Sequence, residues 1–332
     1  MLVKKGTFII QNQKISILLA TYRPNWEFFK LLLISLNDQD YPNLELLVRD
    51  DSDQTETSEK IQEYLREFVT AMPYVFTINE RNMGSNRTFE LLTEEVANGG
   101  YLAYCDQDDV WEPEKLSTLA ALIEGPGVTL AYSDLSVIDQ DGNKKADSFR
   151  EFQKRVIHIY GADLFGTLLM RNSVTGCSML IDTEVAKQAL PFSEYFVHDH
   201  WLALVAASVG ELAYSAKPLI QYRLHDNNQI GASMLPGINN KPDYVEKKLA
   251  QDIVRFNSLL AGDLFTAEQK ALIQGKIAAV EDRKAFIQSP SLSGIGKLFK
   301  ALQGDHQLFL VELFLGIAGN KLGERFLKFL KR

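Results

Sequence analysis

The sequence predicts an α/β protein: an open, mostly parallel sheet flanked by helices, with a helical C-terminal region. Three observations carry this. Short apolar runs alternate with helical periodicities over the first 110 residues. Polar clusters follow each of the first four runs, where such sheets place their ligands. From about Tyr244 the pattern turns helical throughout. A chain of 332 residues, 46% hydrophobic, also outgrows a single core, so a large domain with an appendage is expected.

Taken in order, residues 15–20 (ISILLA) form a buried run of strand length, and residues 25–37 carry Trp26, Phe29, Leu32, Leu33 and Leu36 at helical spacing. Strand patterns return at 44–48, 74–78 and 101–105, separated by helical patterns at 57–69 and 85–96. Alternation at this spacing specifies parallel βαβ units covered on both faces. Residues 129–138 suggest a strand pair, with Asp139-Gln140-Asp141-Gly142 as a turn signal. The mixed stretch 144–174 reads as a flap or an inserted helix. Strands follow at 174–182 and 213–222 with a helix over 198–208 between them, and Pro290-Ser291 and Gly304-Asp305 break the later helices. The chain thus divides into 1–235, itself halved near 110, and a helical region 236–332.

A composition 46% hydrophobic and 10% aromatic argues against disorder, and with 35 basic and 43 acidic residues the net charge of −8 argues against a general nucleic-acid binder. The charge is uneven, −13 over 1–240 and +5 over 241–332. Cys105 and Cys177 each sit in an apolar run and read as buried thiols of a reducing compartment. The N-terminus has no apolar h-region. The longest apolar stretch, 308–319, is interrupted by Glu312 and falls short of the roughly 20 residues of a spanning helix. A cytoplasmic protein is expected.

The chemistry-bearing residues cluster after the strands. Asp106-Gln107-Asp108-Asp109 follows the fourth, with Trp111 and Pro113 opening the next helix; carboxylates two apart in an extended turn can converge on one hard cation, although most such triplets are solvated turns. Asp50 and Asp51 follow the second, where an acidic residue bonds a ribose hydroxyl or base N–H, or caps a helix. Asp51 is favoured for contact. In Asn82-Met83-Gly84-Ser85-Asn86-Arg87, Gly84 lets backbone donors approach a ligand, or simply opens a helix, and Arg87 adds charge toward a diphosphate. In His198-Asp199-His200-Trp201 the carboxylate of Asp199 reads as a general base or as an N-cap. His225, in Tyr222-Arg223-Leu224-His225, reads as a metal ligand or as surface decoration.

Together these residues resemble the family 2 glycosyltransferases with a GT-A fold, and within them the bacterial rhamnosyltransferase-like group. The matching pieces are ISILLATYRP (15–24), LLVRDDSDQT (46–55), NERNMGSNRTFELL (79–92), YCDQDDVWEPEKL (104–116), VTGCSMLID (174–182), HDHW (198–201) and YRLHDNNQIG (222–231). The resemblance implies a nucleotide-sugar site of Thr21, Tyr22, Arg23, Asp50, Asp51, Asn82, Gly84, Arg87, Asp106 and Gln107. It implies Mn²⁺ or Mg²⁺ on Asp108 and His225, with Asp106 in the same motif. Trp111, Gly176, His198 and Trp201 fall on the acceptor side, and Asp199 is the base of a single inverting displacement. Two departures stand out: Asp-Asp-Ser-Asp at 50–53, where Gly often follows the acidic pair, and His198, where Glu often precedes the base.

The implied partners are a dTDP- or UDP-sugar and a glycan or lipid-linked glycan, with rhamnose as a candidate sugar in cell-surface polysaccharide or glycoconjugate synthesis. The alternative is a noncatalytic nucleotide-sugar or glycan-binding module that has kept the fold. A dinucleotide oxidoreductase, a P-loop enzyme and a G-x-S-x-G hydrolase are disfavoured because their motifs are missing. Residues 294–332 hold seven basic and three acidic residues beside an apolar stripe. That pattern fits packing on the catalytic domain, a homodimer contact, or a peripheral contact at the inner face of the cell membrane.

Overall fold

A computed structural model describes residues 12–154, 156–225 and 237–330. The segment DNNQIG at 226–231, the expected boundary at 235/236, and Lys331 and Arg332 lie outside them. By internal contacts the chain divides into two units, 1–225 and 226–332.

The first unit opens with β1 (Ile15–Thr21), α1 (Trp26–Asn37), β2 (Leu44–Asp50), α2 (Thr55–Phe68), β3 (Tyr74–Ile78), α3 (Ser85–Glu95) and β4 (Tyr101–Cys105). All four strands are where the apolar runs put them. Asn25 starts α1 by accepting from the amides of Glu27 and Phe28, satisfying two of the helix's orphan donors. Next come β5 (Val110–Trp111), α4 (Lys115–Ile123), β6 (Val128–Asp139), β7 (Lys144–Ala146), α5 (Phe149–Phe152), α6 (Phe165–Leu168), β8 (Met179–Asp182), α7 (Thr183–Gln188), α8 (His198–Val209) and β9 (Glu211–Leu224).

The sheet runs β3-β2-β1-β4-β8-β6-β9-β5, with β7 paired to β6. β1 is parallel to both β2 and β4, with Thr21 opposite Asp50 and Leu19 opposite Cys105, so these strands end on one rim. β8 is antiparallel to β4 and β6, and β6 pairs in parallel with β9. On one face Ile15, Ile17, Leu19, Leu46 and Val48 pack with Phe29, Leu33, Ile61 and Leu65 of α1 and α2. On the other, Tyr104 of β4 meets Phe89 of α3 edge-on at 5.5 Å.

Three local readings change. Residues 129–138 belong to one long strand, because the run is buried on both faces and contains no turn chemistry; the turn at 139–143 pairs it only with the short β7. Strand 174–182 shortens to β8, preceded by a 3₁₀ turn, Gly176–Ser178. Trp111, expected to open the next helix, sits in β5, and α4 begins at Lys115.

The second unit contains α9 (Lys241–Asp243), a π-helical turn (Tyr244–Leu249), α10 (Ala250–Ser258), α11 (Ala267–Gln288), α12 (Leu292–Ala301), α13 (His306–Ile317) and α14 (Asn320–Leu330). A Thr266/Gln269 capping box starts α11. α13 lies close on α11: a Cβ at Gly316 would fall 2.3 Å from the Phe286 ring. Between them Arg283 grips buried Glu312 at 3.0 and 3.1 Å through Nε, while the Tyr244 hydroxyl donates to the same carboxylate at 2.6 Å. Among the described residues no helix is long and apolar enough to cross a membrane.

Candidate functional site

The rim at the carboxyl ends of β1, β2 and β4 gathers the polar clusters. Gln107 bridges two of them, its side chain accepting from the Tyr22 amide at 2.8 Å and donating to the Tyr22 carbonyl at 3.0 Å. Tyr22 is left 43% exposed at the mouth. Arg23 adopts a left-handed conformation (φ 43°), its amide donating to Ser52 Oγ and its guanidinium to Asp53 at 3.0 Å. Asp51, just past β2, accepts from Asn79 Nδ2 and from the amides of Met83 and Gly84 at 2.7–2.8 Å. It thereby fixes the β3–α3 loop, where Gly84 (φ 79°) and Asn82 are exposed.

Several residues expected at the ligand are engaged within the protein. Asp50 is fully buried and accepts from Thr21 Oγ1, Ser52 and Ser58, so both residues of the Thr21–Asp50 pair brace the rim from inside. Arg87 pairs with Glu90 and Glu94 along its own helix. Trp111, 2% exposed, belongs to the core, with Lys115 Nζ over its ring. Trp201, 6% exposed, donates its indole N–H to the Ala189 carbonyl at 2.7 Å. Both indoles are thus held by packing in the fold.

The acidic loop is built on β4 and held by β9. Arg223, 1% exposed, donates its amide to Asp109 Oδ1, its Nε to the Asp108 carbonyl at 2.9 Å and its Nη1 to the Asp139 carbonyl at 3.2 Å, with Phe28 beneath the guanidinium. Two residues on, His225 Nε2 meets Asp108 Oδ2 at 2.6 Å. The two residues expected to share a cation are thus adjacent although 117 positions apart.

Asp106, Asp109 and Cys177 also bring ligand atoms within 4.8 Å of one another. Burial pushes the Asp109 carboxyl and the Cys177 thiol up, which favours their neutral forms, and a thiol suits a hard cation poorly. Asp106, raised to about 7 by burial and by the charges of Asp108 and Asp199, is half-buried, as are Asp108 and His225. Asp108 and His225 are in contact and, with Asp106 in the same loop, offer two carboxylates and an imidazole as candidate donors for a divalent cation. Beneath them Lys115 is sealed from solvent, donates to the Cys177 carbonyl at 2.7 Å and is lowered to about 7 by burial.

Asp199 occupies the second position of α8, whose N-cap is Val197, so it is not the cap. Its Oδ1 accepts from Asn172 Nδ2 at 2.9 Å and the His200 amide at 2.6 Å, and its Oδ2 from the Gly176 amide at 3.2 Å. Burial outweighs these donors and raises it to about 6. Gly176 allows the approach: a Cβ there would stand 2.7 Å from His198 Nε2. The His198 ring packs on Phe89 at 4.3 Å, burial holds it down to about 3, and its buried Nε2 has no hydrogen-bond partner among the described residues. Asn172 and Phe28 lay outside the quoted segments, and Asn79, Lys115 and Arg223 lay inside them without a role.

Residues 16–184 match the model of glycosyl transferase family 2. The chain belongs to that family. This family 2 glycosyltransferase is 25% identical over 218 residues to the putative teichuronic acid biosynthesis glycosyltransferase TuaG of Bacillus subtilis, covering 64% of this chain and 80% of TuaG. It is 21% identical over 254 residues to the dTDP-rhamnosyl transferase RfbG of Shigella flexneri, covering 71% and 83%. Its fold matches Staphylococcus aureus TarS 1–349 in complex with UDP-GlcNAc at TM-score 0.56 and 17% identity, over 91% of this chain and 87% of that one. The mannosyltransferase PcManGT of Pyrobaculum calidifontis, in complex with GDP-Man and Mn²⁺, matches at 0.52 and 13%, over 91% and 85%. The family 2 chain spans 49% of a longer TarS structure and 18% of an uncharacterized Sinorhizobium fredii protein. These likenesses establish the GT-A type of sheet.

Proposed function

We propose that the chain moves a sugar from a dTDP- or UDP-sugar to a hydroxyl of a glycan or lipid-linked glycan, with inversion, in cell-surface polysaccharide synthesis. The observation that carries this reading is Asp199: a nearly buried carboxylate, oriented by three donors and raised to about 6, so that it is ionised yet basic at neutral pH. Asp199 takes the proton of the acceptor hydroxyl as its oxygen attacks the anomeric carbon from the face opposite the diphosphate. The C–O bond to the diphosphate breaks in the same step, and no covalent enzyme intermediate forms.

Asp106, Asp108 and His225 would hold Mg²⁺ or Mn²⁺, which when bound neutralises charge on the departing diphosphate. Arg223 keeps the Asp108 main chain in place for that task. Tyr22, Gln107 and Asp51 line the nucleotide end. Rhamnose as the sugar is supported by the named activity of RfbG.

The test is a thermal-shift screen of the purified chain against dTDP-, UDP- and GDP-sugars with Mn²⁺, followed by transfer assays. Stabilisation by one donor class, lost in EDTA, is expected. Full transfer in EDTA would overturn the metal assignment, and a response to no nucleotide sugar would overturn the donor assignment.

A further inference from the structure

α13 has two unlike faces. Inward, Glu312, Leu315 and Gly316 are buried, with Glu312 and Gly316 against α11. Outward, Leu310, Phe314 and Ile317 recur at the i, i+4, i+7 spacing of one helical face, and Leu310 and Ile317 are 62% and 65% exposed. Phe314 meets Phe326 of α14 with ring centroids 4.4 Å apart, and α14 adds Leu322 and Phe329, the latter 71% exposed. A soluble unit gains nothing from apolar residues repeated along a solvent face, so such a surface marks a docking site.

Charge identifies the occupant. Lys321, Arg325 and Lys328 of α14 are exposed beside the apolar residues. Over 306–329 the acids are Glu312, sealed against Arg283, and Glu324, paired with Lys328. A face built for a second copy would bring the same cations toward one another across a two-fold axis. Cations ringing an apolar helical face complement lipid phosphates over acyl chains.

We infer that α13 and α14 form a docking surface for an anionic lipid bilayer, lying in its interface. The inference is independent of the catalytic reading. The full chain is sedimented with phosphatidylcholine vesicles, with and without phosphatidylglycerol, at low and high salt, and its mass is measured by light scattering. The expected result is binding to phosphatidylglycerol vesicles that weakens with salt. K321Q/R325Q/K328Q should weaken it about a hundredfold, about fivefold per cation. I317S/F329S should weaken it as well, and both variants should melt as the parent does, since all five side chains are on the surface. Failure to bind, equal binding to both vesicle types, or a dimer abolished by I317S/F329S without vesicle binding would each overturn the inference.

Discussion

At the scale of single residues the site turns on Asp199 and the small space around it. A base must be ionised to accept a proton, so with its carboxyl raised to about 6 the kcat at saturating donor and metal should rise tenfold per pH unit below about 6 and level off above it. His198, held down to about 3, stays neutral across that range and adds no limb of its own. An acid limb near the ordinary carboxylate value of about 4 would show that Asp199 does not titrate as the base. Gly176→Ala drives a methyl group against His198 Nε2 and within 3.4 Å of Asp199 Cβ. It should cost about 1–3 kcal/mol in thermal melts and, by displacing the base, lower kcat about 100-fold. HDHW marked Asp199 as the candidate base, but its restraint by Asn172 was not legible, because that pairing depends on where the loop before β8 folds back.

Among the elements, β9 matters most, since its end delivers Arg223 and His225 to the loop after β4. Arg223→Met leaves the carbonyls of Asp108 and Asp139 without that donor and should destabilise the fold by about 3 kcal/mol in urea unfolding. Mn²⁺ affinity, read by calorimetry on the folded variant, should fall as well; unchanged affinity would show that Arg223 only supports the fold. The parallel strands and their helices were legible because each has a long single-period pattern. β5, two residues long, and α7, six residues long, were not, since neither spans enough chain to show a period. The burial of Trp111 and Trp201 was not legible for a related reason: a motif fixes position in the chain, and only packing decides that an indole turns inward.

For the whole molecule, the uneven charge seen in the sequence acquires two structural meanings. The acidic surplus of residues 1–240 includes the carboxylates crowded along one rim of the sheet, and the basic surplus includes the exposed face of α14. Glu312, which in the sequence merely interrupts an apolar stretch, is the buried partner of Arg283. Arg283→Met should therefore leave an uncompensated charge and cost about 3–5 kcal/mol, seen as a lowered Tm by circular dichroism. Whether this family 2 sheet transfers sugar with Asp199 as its base is tested by Asp199→Asn, measured for transfer and donor affinity side by side. A loss of kcat by about 10²–10⁴ is expected, with donor Kd within a few-fold of the parent; undiminished turnover in that variant would show that Asp199 is not the base.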